Sequence, residues 1–198
     1  MSALSARHIW RYRLMFLVLA LTIITLRLIP IDQSYVPPEA PAIPSFGDII
    51  RISISRFFGS LPPPDLLLAL TFAWMIRQPA VVPLGMLLVV FLLADFLFQR
   101  PPGLWTLLII LASESIRTRR LTMAEFPFLV EWGVVAGAIM GMVLLNRLVL
   151  WILLVDLDPL GLTLLQGIVT IVIYPIVVAV SKFVFGLRKL GPTELEAL

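Results

Sequence analysis

From Leu160 to Phe185 the chain runs through 26 consecutive residues carrying one charge, Lys182. About 20 apolar residues already make a helix long enough to cross a bilayer core. The run is not isolated: others like it follow one another along the chain, separated by proline, charge and short polar turns. Over all 198 residues the apolar fraction is 60% and the charged fraction 14%, where soluble domains carry about 45–50% and about 25%. A domain of this size in water must clothe its surface in polar groups. The composition therefore argues against a soluble globule, a disordered chain and a nucleic-acid-binding module. What remains is one membrane domain, 1–198, with short loops.

The apolar runs divide into six spans, at about 11–29, 65–77, 79–98, 104–116, 128–155 and 160–185. The expected fold class is an all-α integral membrane protein, with six transmembrane helices in one bundle. Arg7, Arg11 and Arg13 ahead of the first run imitate a secretory leader. The small-residue site Ala40-Pro41-Ala42 lies too far downstream and among too many prolines, so this helix reads as retained. The connection after it contains the extended tract Pro37–Pro44. Residues 46–59 then form a short amphipathic outer-surface helix on their apolar periodicity, although the alternation at Ile52–Ser55 also permits a strand.

Lysine and arginine fix the orientation. With the N-terminus inside, ten fall on the cytoplasmic side: Arg7, Arg11, Arg13, Arg77, Arg117, Arg119, Arg120, Lys182, Arg188 and Lys189. Five fall outside: Arg27, Arg51, Arg56, Arg100 and Arg147. Both termini are thus expected in the cytoplasm. Trp10, Trp74, Trp105, Trp132 and Trp151 each fall near a proposed span end, where an amphipathic ring prefers to sit.

Signs of catalysis are lacking. There is no cysteine, which excludes disulfides, thiolate metal sites and cysteine nucleophiles, and the one histidine, His8, among arginines makes a poor metal site. No nucleophile–base set or phosphate loop occurs either. No catalytic residue, metal or cofactor is expected. Other features carry more information. Gly133, Gly137 and Gly141 make a smooth helix face, suited to internal packing or to a partner helix. Thr163, Gln166, Thr170, Tyr174 and Ser181 form a polar stripe on the last span, for interhelical hydrogen bonds or a small polar cavity. Pro175 should kink that helix. Asp95 and Glu114 lie within apolar runs, where ionisable groups default to functional candidates. Arg147 is at a depth to pair with Asp95, so structural pairing and proton relay are both open.

Pro64-Asp65, the run ending at Trp74, Pro79, Asp95 in an apolar helix, then Pro102-Gly103-Leu104 together resemble the rod shape-determining protein MreD family. Thr170 with Tyr174-Pro175 is similar to the family's last span. Phe91 stands where the family commonly has glycine, and the first outer connection is longer than usual. The resemblance covers most of the chain and implies a non-enzymatic scaffold subunit of the bacterial cell-elongation complex, in the inner membrane. Implied partners are an MreC-like scaffold protein, the MreB filament, and the transpeptidase and glycosyltransferase of wall synthesis. The family is also similar in architecture to substrate-binding membrane subunits of vitamin transporters, which is the alternative function.

Overall fold

A computed structural model describes residues 6–29, 62–119, 126–155 and 159–187. The proline tract, the expected amphipathic segment 46–59, and Asp156 and Asp158 lie outside the described residues. The described chain is all helical: α1 (Ala6–Leu28), α2 (Leu66–Arg77), α3 (Leu84–Leu97), α4 (Leu104–Thr118), α5 (Phe128–Ile152) and α6 (Leu160–Phe183).

Three of these helices, α1, α5 and α6, are long and apolar enough to cross a membrane. The 12 residues of α2, the 14 of α3 and the 15 of α4 are each shorter than a full crossing needs. Among the described residues, then, three of the six expected spans are helices of full spanning length. The third expected span, 79–98, loses its first turn because Gln78–Pro83 becomes a loop. Pro79 and Pro83 each lack an amide donor, and Pro83 stands immediately before α3 as its N-cap residue.

The shortest helix is the centre of the bundle. α2 packs against α6, α4 and α1, and every residue from Leu67 to Met75 is buried. A helix apolar on all sides requires such enclosure. Backbone that is not helical can lie at membrane depth only where protein satisfies its polar groups, and the flanks of α2 meet that condition. Before it, Pro63 O accepts from Gln166 Nε2 at 3.1 Å and Asp65 N donates to Thr170 Oγ1 at 2.9 Å. After it, Ala80 O accepts from Arg13 at 3.0 Å, and Val82 O from Arg117 at 2.6 Å. The prolines of 62–64 reduce the problem, since they bring carbonyls and no amide donors.

The polar stripe of α6 thus serves as a rail for α2. Its lower part continues the pattern, with Ser181 Oγ accepting from Trp74 Nε1 at 3.1 Å. Trp74 is fully buried, with Phe16, Phe185 and Tyr12 at ring-centroid separations of 5.7, 5.6 and 6.4 Å. The expected interfacial role of Trp74 is corrected: its ring fills the core, and its N–H has a partner there. Trp132 likewise donates to Ile171 O, at 2.9 Å. Trp10 and Trp151 do expose their rings.

The outer surfaces of the longer helices carry exposed Val18, Leu144, Leu148, Val172 and Ile176. A monomer in water rarely exposes so continuous an apolar surface.

Candidate functional site

The polar side chains gather at opposite ends of the bundle. At one end the C-terminus of α1, the N-terminus of α2, the α3–α4 turn and the α5–α6 ends come together. Asp65 is the N-cap of α2, its Oδ1 accepting from Leu68 N at 3.1 Å. Its Oδ2 lies 3.9 Å from Arg27 and 4.0 Å from Arg100. These are ion pairs too long to be hydrogen bonds. Both guanidiniums also lie over Phe98, at 4.9 and 5.5 Å from its centroid, and Arg100 lies 5.5 Å from that of Trp105.

Asp95 joins two helices. Gln99 takes a left-handed φ of 54°, and Arg100 N donates to Asp95 O at 3.0 Å, closing α3 with a Schellman turn. The Asp95 side chain then reaches α4, where Oδ2 accepts from Gly103 N (3.1 Å), Thr106 N (3.2 Å) and Thr106 Oγ1 (2.7 Å). A carboxylate at a helix N-terminus satisfies free amides and complements the helix dipole. Gly103, at φ +89°, supplies a conformation that a side chain would strain. Pro102, exposed, completes the turn. The expected pairing with Arg147 is corrected: among the described residues no ion pair joins them, and Arg147 Nη1 instead approaches Thr163 Oγ1 at 3.4 Å.

Between these groups lies a cavity of about 440 Å³. Asp65, Thr163, Gln166 and Thr170 line it, as the stripe suggested, together with Arg100, Trp105, Asn146 and Arg147. Tyr174, expected in the same cavity, does not line it. Its hydroxyl donates to Glu131 Oε1 at 2.9 Å, and Arg77 Nη1 reaches the same oxygen at 3.1 Å. Arg77, Glu131 and Tyr174 are all buried and connect α2, α5 and α6. Sequence reasoning passed over this cluster. Arg77 reads in the sequence only as a topology charge and Glu131 is not singled out, although a carboxylate inside an apolar run is itself the cue.

Glu114 faces outward, half exposed, and pairs loosely with Arg117 one turn on, at 3.9 Å. Gly133, Gly137 and Gly141 lie opposite the buried face of α5, which is formed by Glu131, Val135, Ile139, Met142 and Val143. A methyl group placed at any of the three glycines would meet nothing within 4 Å. Among the described residues, internal packing does not use this face.

No family model, curated protein or solved structure matches the chain.

Proposed function

We propose that this chain is a non-enzymatic membrane scaffold subunit of the MreD type, acting in the bacterial cell-elongation complex from the inner membrane. In this reading all six helices lie within the bilayer, three of them long enough to cross it unaided. Both termini face the cytoplasm, and the cavity end faces out. The carrying observation is how the family-like residues are used: Asp65 caps α2, Asp95 and Gly103 join α3 to α4, and Tyr174 ties α6 to Glu131. Each is a joint of the bundle. Such joints support a rigid body that presents its outer apolar faces, the Gly133–Gly141 face among them, to the spans of partner proteins. The partners proposed are an MreC-like protein and, through it, the MreB filament and the wall-synthesis transpeptidase and glycosyltransferase. Copurification in mild detergent tests the reading: a single-span MreC-like protein should be retained, and its absence counts against the scaffold.

The cavity of about 440 Å³ favours a second reading, a substrate-binding subunit of a small-molecule transporter. That reading requires tight binding of a vitamin-sized metabolite by the purified chain. A panel of vitamins and nucleosides that yields no ligand removes it.

A further inference from the structure

We infer that the stretch from Ile176 to Leu187 is a lid, hinged at Pro175 and latched by the indole of Trp132. The device stands on the geometry of α5 and α6 and goes beyond the scaffold reading. In an α-helix the amide of each residue pairs with the carbonyl four positions back. Pro175 has no amide, and its ring crowds that same carbonyl, which belongs to Ile171. α6 nonetheless continues through this proline from Leu160 to Phe183. Its hydrogen-bond ladder is therefore broken at one place, and such a break is where a helix bends.

A carbonyl left without a donor is costly inside a bundle in lipid. Trp132 on α5 supplies the donor, its Nε1–H reaching Ile171 O at 2.9 Å. The oxygen that Pro175 frees is the one that the indole takes. Beside it, Tyr174 donates to Glu131 Oε1 at 2.9 Å. Adjacent residues of α5 thus hold α6 just before the break, and the indole sets the angle at which the chain leaves it. α5 begins at Phe128, only three residues before Glu131, so it extends little past the level of Tyr174.

Past the break, the named side-chain partners of the stretch lie on α2 and α1. Ser181 Oγ accepts from Trp74 Nε1 at 3.1 Å, and the Phe185 ring lies 5.6 Å from that of Trp74. Phe185 O accepts from the Tyr12 hydroxyl at 3.3 Å. Gly186, at φ +65°, turns the chain so that Leu187 is fully buried. On the outer face Ile176, Val180, Phe183 and Val184 are exposed. The stretch thus covers the buried Trp74. It also forms one wall of a cleft of about 210 Å³ at the end of the bundle opposite the larger cavity, lined by Arg11, Tyr12, Met15, Val184 and Phe185. Release of the latch lets the lid swing outward, which widens the cleft and uncovers Trp74.

The test uses the full chain in detergent, with spin labels on introduced cysteines, since it has none of its own. Leu107→Cys with Phe183→Cys reads the lid against α4. Leu107→Cys with Ile168→Cys reads α6 before the break, and all three positions are exposed. Pulsed dipolar spectroscopy should show one dominant lid position in the parent. Trp132→Phe keeps an aromatic ring and removes the donor, and should raise the ratio of displaced to closed lid by about three- to tenfold, the loss of one hydrogen bond. Adding Pro175→Ala restores a backbone amide for Ile171 O and should return the ratio to that of the parent. The separation between Leu107 and Ile168 should stay the same throughout. Where Trp132→Phe fails to fold, the double variant should fold. A ratio unmoved by Trp132→Phe, a rise that Pro175→Ala does not reverse, a displacement shared by Ile168, or a double variant that stays unfolded would overturn the latch.

Discussion

Arg77 on α2 meets Glu131 on α5 at 3.1 Å, across 54 positions of sequence and inside the bundle. Removing one partner of such a pair leaves a buried charge without compensation, at a cost of about 3–5 kcal/mol. Arg77→Leu and Glu131→Ala should each lower stability by that order. The double variant Arg77→Met/Glu131→Leu should lose much less than the two together, because replacing both ions with apolar groups removes the desolvation penalty as well. Chemical unfolding in mild detergent measures the cycle. Additive losses would mean that the two side chains do not act as a pair.

The α3–α4 joint gives a graded series. Asp95→Ala removes the side-chain acceptor of two amides and a hydroxyl, with an expected loss of about 1–2 kcal/mol. Asp95→Asn keeps one acceptor and should lose less. Gly103→Ala places a side chain at φ +89° and should cost about 1–2 kcal/mol through backbone strain. Thermal unfolding of the three variants checks the order, and an Asp95→Ala protein as stable as the parent would remove the capping role.

The proposed orientation is open to thiol labelling because the chain has no cysteine of its own. Pro101→Cys and Leu154→Cys introduce thiols at exposed positions of the cavity end. Arg119→Cys does so at the opposite end. A membrane-impermeant maleimide should label the first two on intact cells, and the third only after permeabilisation. The reverse pattern would invert the topology.

Gly137 separates packing within the chain from docking outside it. With nothing within 4 Å of an added methyl group, Gly137→Ala should leave stability unchanged or raise it by up to about 1 kcal/mol through helix propensity. Gly137→Ile should also fold, yet reduce recovery of the MreC-like partner. A folded Gly137→Ile protein that retains its partner in full would exclude this face from docking.

Helix positions were legible in the sequence because apolar runs and prolines mark them directly. α5 begins at the expected residue, and α6 ends within two residues of expectation. The stripe Thr163–Ser181 was legible as a pattern, since a polar row on an apolar helix must face protein or water. What periodicity could not convey is depth and partnership. Residues 79–83 looked like the start of a span, but two prolines and the arginines of α1 and α4 hold them as a largely buried loop. Arg13, Arg77 and Arg117 were counted only as topology charges, and each is also a structural donor. Asp95 and Arg147 share one end of the bundle. The nearer amides of Gly103 and Thr106 nonetheless take the carboxylate, a choice fixed by the α3–α4 turn geometry.

Cell shape on depletion tests the proposed function most directly. When the protein is depleted from a rod-shaped host that depends on it for growth, the cells should widen and become round within a few generations, and re-expression of the wild-type chain should restore rods. Cells that remain rod-shaped with the protein demonstrably gone would contradict the scaffold role.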